Sequence, residues 1–301
     1  MHIPFIKYRK IFYTISIILV GLSLVSVFSF GWKLGIDFTG GSSLEVEYEG
    51  ERPSIQLIQE KLQGLDSGKV VVQPVGEKGV ILKTKSTSKD TYSEITEKLE
   101  ELGKLNKGSS QFEKIGPVIG RELKQKTKVV AILSLLAIVF YIAFAFRRVS
   151  RPINSFAYGL TSLIALSHDV LIPLGVFSVL GKLYGIQITI PVITALLTVL
   201  GYSINNSVVV FDRVRENLLK FREQSFAFII NKSLNETLTR SINTSLTTLF
   251  VLLAIFFFGG ETLKYFALAL ILGISCGTYS SIFLVTPLLV SYLGWREKRL
   301  H

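Results

Sequence analysis

Six stretches of this chain are too long and too apolar to sit comfortably anywhere but in a bilayer. Residues 11–30 carry no charge at all, and comparable runs follow at 129–146, 153–180, 186–211, roughly 242–258 and 265–293. A helix crosses the hydrocarbon with about 20 predominantly apolar residues, so the pattern predicts six transmembrane helices. Composition agrees. Charged residues make up 18% of the 301, against about 25% in soluble domains. Lys7, Arg9 and Lys10 precede the first run, as they would in a secretory signal. A signal core is only about 7–15 residues long, and Ser29-Phe30-Gly31 is a poor cleavage site. The first run therefore reads as an uncleaved span.

The net charge of +11, from 33 Lys+Arg against 22 Asp+Glu, is unevenly placed. Lys7, Arg9, Lys10, Arg147, Arg148, Arg151, Arg213, Arg215, Lys220, Arg222, Lys232, Arg240, Arg296, Lys298 and Arg299 all fall on one side of the spans. The short loops of the other side hold only Lys182 and Lys264. Positive residues stay cytoplasmic, so both termini are expected inside and residues 31–126 outside. The division is then 1–30 (cytoplasmic N-terminus and first helix), 31–126 (extracytoplasmic domain), 127–294 (helices two to six) and 295–301 (cytoplasmic tail). The basic excess lines a membrane face and suits anionic lipid; nucleic acid is not expected as a partner. The single cysteine, Cys276, excludes an internal disulfide and a Cys-built metal set. Three histidines, two of them at the chain ends, argue against a zinc site, and no G-x-x-x-x-G-K-[ST] occurs. No cofactor or metal is expected.

The long segment after the first span reads as a small α/β domain. Leu44, Val46 and Tyr48 alternate with Glu45, Glu47 and Glu49, the period of a half-buried strand. Ile55, Leu57, Ile58 and Leu62 follow helical spacing after Pro53. The β-branched runs 70–75 and 80–84 flank Gly76-Glu77-Lys78-Gly79, a hairpin signal. Tyr92, Ile95, Leu99 and Leu102 step as a helix, with Ser88 as its cap, and 109–115 is a weaker strand. The order strand, helix, strand, strand, helix, strand predicts a ferredoxin-like domain. The fold class is thus an α-helical polytopic membrane protein, six transmembrane helices, with one α/β ferredoxin-like extracytoplasmic domain between helices one and two.

Ionisable groups inside spans cost about 2.5–3.5 kcal/mol each, so each needs a reason. His168-Asp169 lies near the middle of the third span and reads either as a structural hydrogen-bonded pair or as a proton or conformational relay. Asn205-Asn206 in the fourth span reads either as helix–helix glue or as part of a polar path. Arg240 opens a seam continued by Ser241, Asn243, Thr244, Ser245, Thr247 and Thr248; it faces the bundle interior or water, or else snorkels to the headgroups. Asp212, at the cytoplasmic end of the fourth span beside Arg213, reads either as a solvated interfacial charge or, with Arg240, Asn206, Asn205, Asp169 and His168, as a candidate for the transport path. Gly273 and Gly277, with Ser281 beyond, form a small-residue row for close helix packing. Residues 213–232 are expected to form a separate amphipathic helix on the inner surface. The Asn-x-Ser/Thr triplets at Asn205, Asn231, Asn235 and Asn243 lie on the cytoplasmic half and are not read as glycosylation sites.

Several of these residues fall into motifs. Gly35-Ile36-Asp37-Phe38-Thr39-Gly40-Gly41 after the first span, 115–120 (IGPVIG), Ser167-His168-Asp169, 201–217 (GYSINNSVVVFDRVREN) and Leu238-Thr239-Arg240-Ser241 with Thr247-Thr248 stand in order along nearly the whole chain. The chain resembles the SecD/SecF protein-export family, and its six-span layout resembles the SecF branch. The resemblance implies pairing with SecD into a pseudo-symmetric twelve-span unit related to resistance-nodulation-division exporters. It implies association with the SecYEG channel and late assistance to a translocating unfolded protein, driven by the proton-motive force in the bacterial inner membrane. It places Arg240 and the residue at 206 in the proton pathway. The family usually has aspartate there; this chain has Asn206, which carries no proton, so SecD is expected to supply the titrating carboxylate; otherwise Asp169 contributes, or coupling is weakened or uses another ion. Asp37, Gly40 and Gly41 are expected to shape the turn into the outer domain, with coupling of that domain to the membrane as the second reading. The alternative is a stand-alone exporter of small molecules or lipids. An intramembrane enzyme has no support: no Ser/His/Asp set, HExxH or paired aspartates occur.

Overall fold

A computed structural model describes residues 3–63, 70–85, 89–106, 108, 110–146 and 152–300. Its fold separates into two compact units. One comprises Trp32–Val129 with Leu180–Ile190, the other Met1–Gly31, Val130–Val179 and Pro191–His301.

The smaller unit opens with a short helix α2 (Ile36–Thr39) and then β1 (Gly41–Glu47), α3 (Ile55–Lys61), β2 (Val71–Val75), β3 (Gly79–Thr84), α4 (Lys89–Glu100) and β4 (Gln111–Ile115). The strands form one antiparallel sheet in the order β2-β3-β1-β4, which is the ferredoxin-like order. Alternation in β1 does what a period of two dictates. Leu44 and Val46 face the core opposite Leu82 and Val80 of β3, and the intervening glutamates are less buried. Ile58 of α3 and Ile95 and Leu99 of α4 close the same core. Ser54 caps α3, its hydroxyl accepting from Leu57 N at 3.3 Å. The expected cap of α4, Ser88, lies outside the described residues.

The other unit is built from helices. α1 (Arg9–Phe30), α5 (Pro117–Ala145), α6 (Ser155–Tyr184), α7 (Ile190–Lys220) and α8 (Phe226–Phe258) are each long and apolar enough to cross a membrane. The sixth span, Leu263–Arg299, is composite: α9 (Glu261–Ser280), a π-helical turn at Ser281–Val285, and α10 (Thr286–Leu300). Apolar runs mark only the part of a helix that lipid or core demands, so several helices outrun them. α5 starts at Pro117, inside the segment assigned to the outer domain, with proline at the first helical position, where its missing N–H costs nothing.

The separate amphipathic helix expected at residues 213–232 is not formed. α7 continues to Lys220, and α8 begins at Phe226 with Ser225 as cap, its hydroxyl accepting from Phe228 N at 3.3 Å. Val214, Phe226 and Ile230 are buried in the bundle core, so the apolar face of this stretch serves the two helix ends.

Candidate functional site

One cluster of buried polar groups in the bundle centres on α6. Asp169 is fully buried and His168 is 4% exposed. The His168 Nδ1–H donates to Asp169 Oδ1 at 2.9 Å. The other carboxylate oxygen accepts from Ser203 Oγ of α7 at 2.5 Å and from Ser280 Oγ of α9 at 2.8 Å. Four residues later Pro173 lies within α6 and has no N–H to offer the Asp169 carbonyl. Ser280 is the last residue before the π-helical turn; such turns cluster at functional sites.

Three donors on one carboxylate satisfy a charge that an apolar bundle would otherwise expel. His168 is left with one free position. Its Nδ1–H is committed to Asp169, and its Nε2 has no hydrogen-bond partner among the described residues.

Glycine brings α9 close enough for these bonds. A Cβ on Gly277 would meet Ser203 Cβ at 3.0 Å, and one on Gly273 would collide with the Val199 side chain. The small-residue row thus packs on Val199 and Ser203, one turn apart on α7.

One turn beyond Ser203, Asn206 is also buried. Its Nδ2–H donates to Ser245 Oγ of α8 at 3.5 Å, and Thr278 Oγ1 of α9 donates to the same oxygen at 2.6 Å. Asn206 is not bonded to Arg240. The seam on α8 splits by helical phase: Ser241 and Ser245 turn inward, while Arg240, Asn243, Thr244 and Thr247 are exposed. Arg240 makes no hydrogen bond or ion pair among the described residues. Asn205 and Asp212 of α7 are likewise exposed. The Tyr202 hydroxyl stitches the two helices together by donating to Thr244 O at 3.1 Å.

At the far end of α7, Asn217 Nδ2–H donates to Ser233 Oγ and to Glu236 Oε2 at 3.0 and 2.7 Å, and Arg213 reaches Glu236 at 2.7 Å. Among the described residues no three His, Cys, Asp or Glu side chains assemble into a metal set.

In the smaller unit, Asp37 Oδ2 accepts from the backbone N–H of Ile190 at 2.9 Å. Gly35 N–H donates to Ile188 O, and Ile188 N–H to Lys33 O, at 2.8 and 2.7 Å. Gly40 has φ +74°, and a Cβ there would meet Pro117 Cα at 2.7 Å. Gly41 has φ +139° and lies against the backbone of Thr84. Both glycines are required by their backbone conformation and by a close approach, of α5 at Gly40 and of β3 at Gly41. Burial holds the Lys83 ammonium below its usual range, with Asp37 and Glu113 pulling it the other way.

Ser203 and Ser280 were not singled out from sequence as partners of Asp169. For Ser203 a signal existed: Val199, Ser203, Asn206 and Val210 recur at helical spacing and form one face of α7. For Ser280 none did, because the Gly273–Gly277 row reads as packing alone.

Comparison with known proteins draws these features together. A family model described as "Protein export membrane protein SecD/SecF, C-terminal" matches residues 94–295, and one described as "SecD/SecF GG Motif" matches residues 25–51. Proteins named "Protein translocase subunit SecF" are similar over nearly the whole chain. The one from Thermobaculum terrenum is 40% identical, covering 98% of this chain and 95% of its own. The one from Synechocystis sp. is 32% identical, covering 99% and 97%. Among solved structures, SecDF from Thermus thermophilus, titled a translocon-associated membrane protein, superposes with a TM-score of 0.84 at 33% identity over 97% of this chain. This chain spans only 39% of that one. The names favour protein export over the export of small molecules or lipids. With a family model over two-thirds of its length and relatives matched almost end to end, the chain belongs to the SecD/SecF family of protein export membrane proteins, among its SecF translocase subunits.

Proposed function

We propose that this chain couples proton movement to Sec-dependent export through the His168–Asp169 pair, working as one half of a unit completed by a SecD-type partner. The Sec role itself follows from the family. The proton reading is carried by one observation: a fully buried carboxylate, held by three donors from three helices, beside an imidazole nitrogen with no partner among the described residues. A pair that only glued helices together would gain nothing from an ionisable group in lipid.

Partnership is supported by the exposed polar rows of α7 and α8. Lipid is a poor solvent for Asn205, Arg240 and Asn243, whereas a second helical half with complementary groups is a good one. The larger SecDF chain has room for such a half beyond the part matched here. With Asn206 unable to titrate, the partner supplies the carboxylate that faces Arg240. In this reading both termini are cytoplasmic, residues 31–126 lie outside, the SecYEG channel is the neighbour and an unfolded chain in transit is the substrate.

The test is secretion in cells depending on this chain. Asp169→Asn keeps the size and one acceptor but cannot exchange a proton, and should lower secretion at least about tenfold, the equivalent of about 1.4 kcal/mol. The variant must still accumulate and co-purify with its SecD-type partner in mild detergent. Normal secretion by Asp169→Asn would remove the pair from the coupling path.

A further inference from the structure

Residues 3–8 precede α1 without regular helix or strand, yet Phe5 and Ile6 among them are buried. Phe5 is 2% exposed and packs with Ile6 in the bundle core. Two asparagines one turn apart on α8 hold the segment by its backbone. Ile3 N–H donates to Asn235 Oδ1 at 2.8 Å, and Ile3 O accepts from Asn231 Nδ2 and Asn235 Nδ2 at 3.1 and 2.9 Å. Ile6 N–H donates to Asn231 Oδ1 at 3.3 Å. Main-chain pairing of this kind is what a neighbouring strand supplies in a sheet; here two side-chain amides supply it.

From Phe5 an aromatic series leads into the site. The Phe5 ring lies 5.7 Å from Phe283 in the π-helical turn, Phe283 lies 5.1 Å from Tyr279, and Tyr279 stacks on the His168 ring at 5.9 Å and 18°. These centroid separations fall within the range of interacting aromatic pairs. The Tyr279 hydroxyl is anchored by donating to Phe12 O of α1 at 2.9 Å, and Phe12 packs on Phe283 at 4.4 Å.

We infer that residues 3–8 form a strap that positions the His168 ring, with Phe5 acting through Phe283 and Tyr279 and with Asn231 and Asn235 as the fastening. The strap sets the side of His168 that Asp169 does not: Asp169 fixes Nδ1, whereas ring stacking fixes the plane and hence the direction in which Nε2 points. The titratable groups next to the ring are Asp169 on its own helix and Tyr279 on α9; Cys276 of α9 interacts with Asp169, the Ser203 hydroxyl of α7 donates to Asp169, and the Ser16 hydroxyl of α1 donates to the Tyr279 hydroxyl at 3.5 Å. This inference rests on the proposed role of the pair but is tested apart from it.

The chain has only three histidines, His2, His168 and His301, so ring-¹⁵N-labelled histidine in the full chain, held in lipid nanodiscs, reports His168 directly. Its signal is assigned by its loss in His168→Asn. Phe5→Ala should displace the His168 ring resonances and shift their titration midpoint, and the double variant Asn231→Ala, Asn235→Ala should do the same without opening a core cavity. Phe5→Trp should return the signals toward wild type, because it restores an aromatic face against Phe283. If Phe5→Ala does not fold, the double asparagine variant decides. Unchanged His168 resonances and midpoint in a folded strap variant overturn the inference. Normal secretion by His168→Asn would instead overturn the proton role and leave the strap's action on the ring standing.

Discussion

Single side chains in this protein show how burial and hydrogen bonding set behaviour. Tyr48, at the end of the β1 run, has a buried hydroxyl with no hydrogen-bond partner among the described residues, and Gly103 leaves room for its ring. Burial pushes the phenol up to about 12 from an ordinary 10. A group whose folded pKa is raised contributes stability that is complete below its unfolded value and lost as pH rises through the folded one. The smaller unit should therefore lose stability between about pH 10 and pH 12. Tyr48→Phe should remove that loss and cost nothing at neutral pH, because it deletes an unsatisfied polar group. Hydrogen exchange of the β1 amides in the full chain at several alkaline pH values checks this; equal alkaline sensitivity in both proteins would refute it. Legibility at this scale was uneven. Leu44, Val46 and Tyr48 were readable as core from alternation alone. The state of His168-Asp169 was not: adjacent helical residues point in different directions, and the partners that fix Asp169 lie 34 and 111 positions away. No local pattern encodes such a meeting.

Elements were the most legible level, for a physical reason. Six apolar runs and a two-residue alternation are forced by solvent, and solvent acts on every residue of an element at once. Contacts between elements were less so. Sequence showed a small-residue row at Gly273 and Gly277, and the structure shows it facing Val199 and Ser203. The exposed or buried fate of each residue in the seam after Arg240 follows its helical phase, but periodicity alone does not say which phase faces inward. The α7–α9 contact makes a quantitative prediction. A Cβ on Gly273 runs into the branched Val199 side chain, which has no spare rotamer to yield. Gly273→Ala should cost about 1–3 kcal/mol, the usual cost of overpacking. Val199→Ala in the same chain should recover most of it, because the colliding methyls are gone. Thermal unfolding of the purified singles and double in detergent measures the coupling; additive effects would show that the two helices do not meet at these residues.

For the molecule as a whole, the telling feature is what the helical unit leaves uncovered. Arg240 sits about four turns into α8, with no ion pair among the described residues, and Asn205, Asn243, Thr244 and Thr247 share its exposure. An arginine held at membrane depth costs about 2.5–3.5 kcal/mol on insertion scales, less where it snorkels to the headgroups. A proposed partner with a facing carboxylate resolves that cost and also supplies the charge that Asn206 lacks. The two halves of this idea separate experimentally. Arg240→Ala removes a charge from the proposed transport path but adds no repulsion, so abundance and co-purification with the SecD-type partner should persist while secretion falls. Arg240→Glu sets like charges face to face, which costs several kcal/mol at an interface, so it should also lose the partner under the same detergent. Arg240→Lys keeps the charge without the planar fork and should fall between wild type and alanine in secretion. Co-purification of Arg240→Glu at wild-type yield would mean that the partner's carboxylate lies elsewhere. Wild-type secretion by Arg240→Ala at normal abundance would mean that the exposed row serves assembly or lipid contact and that protons pass through the His168–Asp169 pair without it.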